Sequence, residues 1–209
     1  MIGSLIYASQ ACRPDIAFGV SYLSRFMSRP NTNNFTQAME ILKYLKGTPT
    51  TGLFYKSNQL NVQLHGFVDA SWSEHCNVSG YVFYHNGVIS WSSKKQESAT
   101  ISSTEAEIVA ASCATQEAMF LKHLFNSIGE AVNEILLHMD NISTKAICEG
   151  NKQSSKLKHV IIRDQFVTQA VQRQDIKLEY VESTHNHADV LTKVKTGKGW
   201  HCIIDQMMS

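Results

Sequence analysis

The sequence lacks any long apolar run and any closely spaced pair of cysteines. No apolar stretch approaches the roughly 18 residues that a membrane-spanning helix needs, and the N-terminus lacks the basic-then-apolar pattern of a signal peptide. The five cysteines lie far apart, with no Cys-x-x-Cys pair, which argues against a zinc site and favours reduced thiols. We therefore expect a protein that has no membrane partner, is not secreted and acts in the cytoplasm or the nucleus.

An excess of charge of one sign is also missing. The net charge is +1, so the whole chain has no general attraction for nucleic acid. With 43% hydrophobic and 18% charged residues, the composition is that of a globular protein. Residues 143–173 nevertheless carry six basic and two acidic side chains. This segment is either a local phosphate-binding patch or the solvated face of a helix.

Hydrophobic periodicity divides the chain into three parts. Residues 1–58 contain two helical patterns, one that begins near Pro14 and one whose apolar face begins at Phe35. Residues 59–193 alternate between strand and helix patterns and are predicted to form one domain. Residues 194–209 show no clear period and are predicted to be a tail.

Strand and helix patterns in residues 59–193 predict a mixed α/β sheet. The predicted strands cover residues 62–69, 79–85, 88–93, 135–139 and 176–182, and the predicted helices cover residues 103–127, 142–147, 158–172 and 187–193. An Asn-Gly pair at residues 86–87 predicts a two-residue type I′ turn. Strand-helix-strand crossovers follow the hairpin. We expect a five-stranded sheet of order 3-2-1-4-5, flanked by helices and preceded by a small helical segment.

Two apolar patterns make the packing of this sheet more specific. The nearly continuous apolar run at residues 135–139 predicts a strand that is buried on both faces. The inner stripe of the helix at residues 103–127 is predicted to continue through Leu124 to Ile128, with Glu117 as its polar interruption.

Four acidic side chains lie at a strand end or a helix start. They are Asp69, Glu107, Asp140 and Asp189. The predicted topology brings all four to one edge of the sheet, where open α/β sheets tend to place ligands. Clustered carboxylates repel one another unless cations neutralise them, and hard oxygen ligands suit Mg²⁺ or Mn²⁺. Two such ions at about 3.5–4 Å separation are the usual arrangement for phosphodiester cleavage.

Each of these four residues also has a purely structural interpretation. Asp69 could cap a turn, and Asp140 could be the N-cap of the next helix. Glu107 and its neighbour Glu105 both match the spacing of a capping box. Asp189 could simply favour a helix N-terminus. Single carboxylates are therefore explained by capping, whereas the shared edge favours a metal site.

Other polar residues near the predicted site are ambiguous in the same way. His185 and His187 could assist proton transfer, or they could be loop histidines without a role. Lys94 and Lys95 could contact phosphate, or they could belong to an ordinary polar loop.

Longer sequence runs then allow a family comparison. The front of the chain carries Ile-Gly-Ser-Leu-Ile-Tyr (residues 2–7), Arg-Pro-Asp-Ile-Ala (13–17), Leu-Ser-Arg-Phe-Met (23–27) and Leu-Lys-Tyr-Leu-Lys-Gly-Thr (42–48). The remainder carries Ser-Gly-Tyr (79–81), Ile-Ser-Trp-Ser-Ser-Lys-Lys-Gln (89–96), Ser-Ser-Thr-Glu-Ala-Glu (102–107), Asp-Asn (140–141), Lys-His (158–159), Leu-Glu-Tyr-Val (178–181) and Ala-Asp-Val-Leu-Thr-Lys (188–193). Together they resemble the C-terminal part of a copia-type retrotransposon Pol polyprotein, which is the end of the reverse transcriptase followed by ribonuclease H.

The resemblance implies a fold, an activity and a set of site residues. It implies a ribonuclease H-like domain that hydrolyses the RNA strand of an RNA–DNA hybrid with two Mg²⁺ or Mn²⁺ ions. The implied catalytic and metal-binding residues are Asp69, Glu107, Asp140 and Asp189. The residues expected to contact the hybrid are Lys94, Lys95, Asn141, Lys156, Lys158 and His159. The remainder of a reverse transcriptase is a second expected partner, and a retroelement particle in the cytoplasm or the nucleus is the expected location.

The sequence also departs from the family pattern. The loop between Asp69 and Gly80 is short, Ser154 and Gln165 stand where the family usually has histidine, and Val194 replaces a usual proline. Because Met1 falls inside a family motif, we expect no polymerase activity. One alternative is therefore a catalytically inactive remnant that still binds nucleic acid. A further alternative is a transposase or exonuclease of the same broad fold.

Overall fold

A computed structural model describes residues 1–55, 63–73, 76–97, 100–151, 158–194 and 197–208. Its helices are α1 (Ile2–Ala11), α2 (Ala17–Ser24), α3 (Thr32–Gly47), α4 (Ser103–Ser127), α5 (Ile142–Cys148), α6 (Lys158–Gln172) and α7 (Lys198–Met208). Its strands are β1 (His65–Ser71), β2 (Val78–Tyr84), β3 (Val88–Lys95), β4 (Ile135–Met139) and β5 (Ile176–Tyr180). Short 3-10 segments cover Pro14–Ile16, Ser183–His185 and His187–Leu191. Across these ranges, no helix is both long enough and apolar enough to cross a bilayer.

The five strands form one sheet of order β3-β2-β1-β4-β5, so the predicted topology is confirmed. β2 is antiparallel to both of its neighbours, whereas β1, β4 and β5 run parallel. The hairpin differs in detail from the prediction, because Tyr84 pairs with Val88 and the connection is therefore three residues long. Asn86 and Gly87 in this connection have φ angles of 59° and 151°. Asparagine and glycine are the residues that tolerate positive φ best.

One face of the sheet carries the main hydrophobic core, covered by α4 and α6. Val68, Phe83, Ile108, Leu137 and Ile176 are among its fully buried side chains. β4 alternates between buried and half-buried residues, so the prediction that both of its faces are buried is wrong. The alternation arises because α4 and α6 cover only one face of this strand. A strand that contacts helices on one side buries every second residue.

The other face of β1–β3 is covered by α7, by the His187–Leu191 segment and by α1 and α2, which with α3 form the front helices. α7 falls in the region predicted to be an aperiodic tail, yet Ile203, Ile204, Met207 and Met208 are all buried against this face. The predicted helix at residues 187–193 is instead the 3-10 segment His187–Leu191 followed by a turn.

The front helices pack on the sheet and are held by a buried polar network. The indole N–H of Trp91 on β3 donates to the backbone oxygen of Ser9 at 2.7 Å. Among the front helices, the Arg13 guanidinium donates to the Asp15 carboxylate at 2.7 Å, and the Tyr44 hydroxyl donates to the same carboxylate oxygen at 2.7 Å. The front of the chain is thus joined to the sheet by specific contacts.

The helices differ from the prediction in three places. α1 was not predicted, because only Leu5 and Ser9 of its residues are buried and the apolar pattern is weak. The end of α4 is exposed, with Leu124 at 45% and Ile128 at 66%. A helix of 25 residues is roughly 37 Å long, whereas a strand of five residues spans only roughly 17 Å. The helix therefore extends past the sheet. Phe35, predicted to face a core, is likewise 59% exposed.

Candidate functional site

Three of the four predicted carboxylates meet at one edge of the sheet. Asp69, Glu107 and Asp140 each offer an oxygen atom, and these atoms lie within 4.8 Å of one another. The parallel register pairs Phe67 of β1 with His138 of β4, and two further residues along both chains bring Asp69 beside Asp140. β1 continues past Asp69 to Ser71, so the predicted strand end at Asp69 is two residues early.

The helix start that carries Glu107 separates the roles of two neighbouring acids. Ser102 is the N-cap of α4, and its hydroxyl accepts from the backbone N–H of Glu105 at 3.2 Å. The Glu105 carboxylate accepts from the backbone N–H of Ile101 at 2.9 Å. Glu105 is thereby used to secure the helix start. Glu107, one half-turn later, lies in the carboxylate cluster.

The capping interpretation of Asp140 is wrong, because its neighbour performs that role. The Asn141 side chain is the N-cap of α5 and accepts from the backbone N–H of Thr144 at 3.0 Å. Asp140 immediately follows β4 and is half-buried. Its carboxylate is therefore left to the cluster with Asp69 and Glu107.

Glu107 is buried in a setting that disfavours its charge. It is 7% exposed, and among the described residues its Oε2 atom has no hydrogen-bond partner. Burial, followed by the nearby charges of Asp69 and Asp140, raises the pKa of Glu107 well above its ordinary value. A backbone hydrogen bond from Ala70 and the charge of Lys193 oppose this effect. A bound cation would supply the missing compensation.

Asp69 is in a similar setting but has more partners. Burial raises its pKa to about 6, and the charge of Lys193 and a hydrogen bond from the Thr192 hydroxyl act in the opposite direction. The three-carboxylate cluster has only oxygen donors and a surplus of negative charge. This donor set fits a hard divalent ion such as Mg²⁺ or Mn²⁺.

Asp189 lies next to the cluster without being a member of it. It is fully buried in the His187–Leu191 segment, and its charge contributes to the raised pKa of Asp69. The Lys193 ammonium contacts the Asp189 carboxylate and lies 3.9 Å from Asp69 Oδ2. The predicted convergence of four carboxylates is therefore a group of three with a fourth beside it, joined by a lysine.

The segment that carries Asp189 is fixed to the sheet directly under the cluster. The Asn186 side chain donates to the backbone oxygen of Val68 at 3.0 Å and accepts from the backbone N–H of Ala188 at 3.1 Å. Gly80 pairs with Asp69 across β1 and β2. A Cβ atom on Gly80 would lie 2.7 Å from Thr192 Cγ2, so only glycine allows this close approach.

Sequence reasoning missed the supporting roles of Asn186, Thr192 and Lys193. Thr192 and Lys193 belong to the same run as Asp189, residues 188–193, but the sequence analysis predicts a role in the site for Asp189 alone. The Asn186 amide donates to a backbone oxygen 118 positions away, and the Thr192 hydroxyl donates to a carboxylate 123 positions away, so neither bond can be inferred from local spacing.

The two candidate histidines have different surroundings. His185 is exposed and lies 3.8 Å from the Glu182 carboxylate. His187 stacks on Phe67 at a ring separation of 4.4 Å and is hydrogen-bonded to the Tyr84 hydroxyl and the Gln206 side chain. Burial lowers the pKa of His187 to about 4. His187 therefore joins α7 to the sheet and is not placed to exchange protons with a substrate.

The predicted nucleic-acid contacts are only partly placed. Lys94 and Lys95 are exposed at the end of β3, where Lys94 lies 3.6 Å from Glu97. Asn141 serves as the helix cap. Lys158 and His159 begin α6, and Lys156 lies outside the described residues.

One exposed aromatic residue near the site was not selected from the sequence. Trp72 directly follows β1, is 46% exposed, and donates its indole N–H to the backbone oxygen of Thr100 at 3.2 Å. Its ring is thus anchored between the strand that carries Asp69 and the helix that carries Glu107.

Comparisons with known proteins agree with this geometry. No family model matches the sequence. The chain is 33% identical over 199 residues to the retrovirus-related Pol polyprotein from transposon RE1 of Arabidopsis thaliana, covering 92% of this chain and 13% of that protein. It is 31% identical over 198 residues to the corresponding polyprotein from transposon TNT 1-94 of Nicotiana tabacum, covering 92% of this chain and 15% of that protein. The chain thus spans about one seventh of the length of these relatives.

Two solved structures share the fold. LC11-RNase H1, isolated from compost by a metagenomic approach, superposes with a TM-score of 0.50 at 14% identity, covering 69% of this chain and 96% of that one. The foamy viral protease-reverse transcriptase, solved in complex with an RNA/DNA hybrid, gives a TM-score of 0.54 at 13% identity, covering 94% of this chain and 26% of that one. The five-stranded domain therefore has the ribonuclease H fold.

Proposed function

The chain belongs to the copia-type retrotransposon Pol polyproteins, and from this premise we propose that it cuts the RNA strand of RNA–DNA hybrids. The proposed nuclease domain is residues 59–193, behind a helical segment at residues 1–58. α7 lies in the proposed tail at residues 194–209 but packs on the nuclease domain. We further propose that the rest of a reverse transcriptase is a partner and that the chain works in a cytoplasmic particle or the nucleus.

A single observation carries the proposal. Asp69, Glu107 and Asp140 come from β1, α4 and the end of β4, and their oxygen atoms converge within 4.8 Å. Capping accounts for Glu105 and Asn141 but not for Glu107 or Asp140. Three carboxylates are held together against their mutual repulsion, and the buried Oε2 of Glu107 has no hydrogen-bond partner within the described part of the chain; a divalent cation explains both best.

Each residue of the site then has a proposed role. Asp69 and Asp140 hold the ions, Glu107 completes one ion site and orients the attacking water, and Asp189 completes the other. Two Mg²⁺ or Mn²⁺ ions, when bound, activate that water and stabilise the leaving oxygen. The Thr192 hydroxyl orients the Asp69 carboxylate by donating to it.

The proposed substrate is recognised by shape. Proteins identify an RNA-containing duplex through its phosphates and 2′-hydroxyls, not through its base sequence. Lys94 and Lys95 are exposed at the strand end near the start of α4 and are proposed to contact phosphate. The foamy viral neighbour was solved with an RNA/DNA hybrid, which makes this substrate the first to test.

Two glutamates that lie two residues apart provide a matched test. We expect the purified chain to cleave a labelled RNA–DNA hybrid with Mg²⁺ or Mn²⁺, and we expect EDTA to stop the reaction. Glu107→Gln should lower the cleavage rate by at least about 100-fold, because it removes the negative charge of an ion ligand. Glu105→Gln should retain cleavage and change stability by no more than about 1 kcal/mol, because glutamine can still accept from Ile101. Equal losses in both variants would refute the assignment of Glu107.

One observation favours a second function. The ammonium of Lys193 already neutralises part of the charge of Asp69 and Asp189. If it cannot be displaced, the site holds fewer ions, and the chain is a catalytically inactive nucleic-acid-binding remnant. Binding of a hybrid that weakens with salt, without cleavage by the folded chain, would identify this function.

A further inference from the structure

Lys193 has a position that the proposed reaction does not explain. Its ammonium contacts the Asp189 carboxylate and lies 3.9 Å from Asp69 Oδ2, so it joins two of the proposed ligands. The side chains of Asp69 and Asp189 are 3% and 1% exposed, whereas that of Lys193 is 46% exposed. The lysine thus enters a buried pair of carboxylates from the solvent side.

Both the position and the charge of the Lys193 ammonium disfavour the binding of a second divalent ion. A divalent ion shared by Asp69 and Asp189 needs the space between the two carboxylates, which is where the ammonium lies. Two divalent ions balance the four carboxylates of Asp69, Glu107, Asp140 and Asp189. If the ammonium stayed, the same two ions would leave the cluster with a net positive charge. The first ion can instead use the three-carboxylate cluster without touching Asp189.

The surroundings give the lysine somewhere to move. Lys193 lines an open cavity of about 450 Å³ between α3 and the His187–Leu191 segment. Its other lining residues are mostly apolar, among them Ile41, Val190 and Trp200, and Glu40 also lines it. Glu40 is exposed at this cavity and pairs with Lys43 on the surface. Because the cavity is open, an ammonium on a flexible four-carbon stem can leave the carboxylates for the solvent on this side.

We propose that Lys193 is an internal counter-ion that competes with the second divalent ion, so that the site fills in two unequal steps. The first ion binds Asp69, Glu107 and Asp140. The second binds Asp69 and Asp189 only when the ammonium withdraws toward the cavity beside α3. This inference rests on the proposed function, because it takes these carboxylates as the ion ligands. It adds that the lysine sets the concentration of ion at which the site becomes complete.

Ion binding can be measured without any cleavage. We would titrate Mn²⁺ into the EDTA-treated full chain by calorimetry and compare it with Lys193→Met, which keeps the length of the side chain and removes its charge. The wild-type chain should show two sites that differ at least tenfold in affinity. Lys193→Met should tighten the weaker site at least tenfold and leave the stronger site nearly unchanged. Lys46→Met, in the exposed last turn of α3, is the matched control and should leave both affinities as they are.

A second measurement uses the wild-type chain, so its result does not depend on whether a variant folds. Reductive methylation of lysines, read by mass spectrometry, reports how accessible each ammonium is. Modification of Lys193 should rise several-fold as Mg²⁺ is raised through the weaker site, whereas modification of Lys46 should stay constant. Constant modification of Lys193 at saturating Mg²⁺ would overturn the inference.

The outcomes separate the inference from the function on which it rests. If the chain binds two ions and cuts the hybrid, but Lys193→Met leaves both affinities unchanged, the inference alone is wrong. If the folded chain binds neither ion nor hybrid, the proposed function and the inference are both wrong.

Discussion

Replacing Asp69 with asparagine should make the protein more stable at neutral pH when no divalent ion is added. Burial raises the pKa of Asp69 from an ordinary value near 3.8 to about 6. Ionised Asp69 therefore costs the folded state free energy that the unfolded chain does not lose. Asparagine has nearly the same shape as the protonated acid and can still accept from Thr192. The substitution therefore removes the cost of the charge and little else.

The size and the sign of the effect follow from proton linkage. Between pH about 4 and about 6 the folded state keeps a proton on Asp69 that the unfolded state has lost. Over this interval, rising pH lowers the free energy of unfolding by about 1.4 kcal/mol per unit from this group. The stabilisation by Asp69→Asn should thus be near zero at pH 4 and about 3 kcal/mol at pH 7.

The assay is urea denaturation of both chains in EDTA, followed by tryptophan fluorescence at half-unit steps from pH 4 to pH 8. Taking the difference between the chains cancels the titration of groups that they share. Adding Mg²⁺ at pH 7 should stabilise the wild-type chain more than the variant, because the ion compensates the charge that the variant lacks. A difference in stability that does not change with pH would refute the account of Asp69 as a destabilised buried carboxylate.

Two further substitutions test the support of the site and its contact with substrate. Gly80→Ala should cost about 1–3 kcal/mol of stability and weaken ion binding, because the new methyl group would push Thr192 away. The control is Gly3→Ala, which has open space around it and should not destabilise α1. Equal losses of stability in urea denaturation of the two variants would contradict this argument. Trp72→Ala should weaken hybrid binding several-fold, because its exposed ring lies beside the carboxylate cluster, where it can pack on the sugar-phosphate backbone of the duplex. Phe120→Ala, 59% exposed on the outer side of α4, should leave hybrid binding unchanged in a polarisation assay.

The sheet could be predicted from the sequence because its signals are local. The Asn-Gly pair at residues 86–87 marked the hairpin, and the capping residues before Glu105 marked the start of α4. Once strand directions were known, the shared edge of Asp69 and Asp140 followed from topology alone. The order of the five strands and the meeting of three carboxylates needed no knowledge of side-chain packing.

The features that could not be predicted depend on contacts between distant parts of the chain. The stripe of α4 continues in sequence to Ile128, but burial stops where the sheet stops. The residues of α7 gave no clear period, and their burial arises only because the sheet face beneath them is otherwise uncovered. The pairing of Lys193 with Asp189 was hidden for a similar reason, because a lysine four residues after an aspartate resembles an ordinary surface pair.

The predicted domain boundaries near residues 58 and 193 leave out residues that hold Asp189 in place. The His187–Leu191 segment is a short 3-10 turn, which has little stability of its own. Gln206 of α7 holds His187 from one side, and Ala17 of the front helices belongs to the same buried cluster as Val190. The position of Asp189, and with it the competition between Lys193 and an ion, therefore depends on both ends of the chain. The sheet and α4 together supply three carboxylates, but the fourth is held in place by elements that lie outside the ribonuclease H-like core.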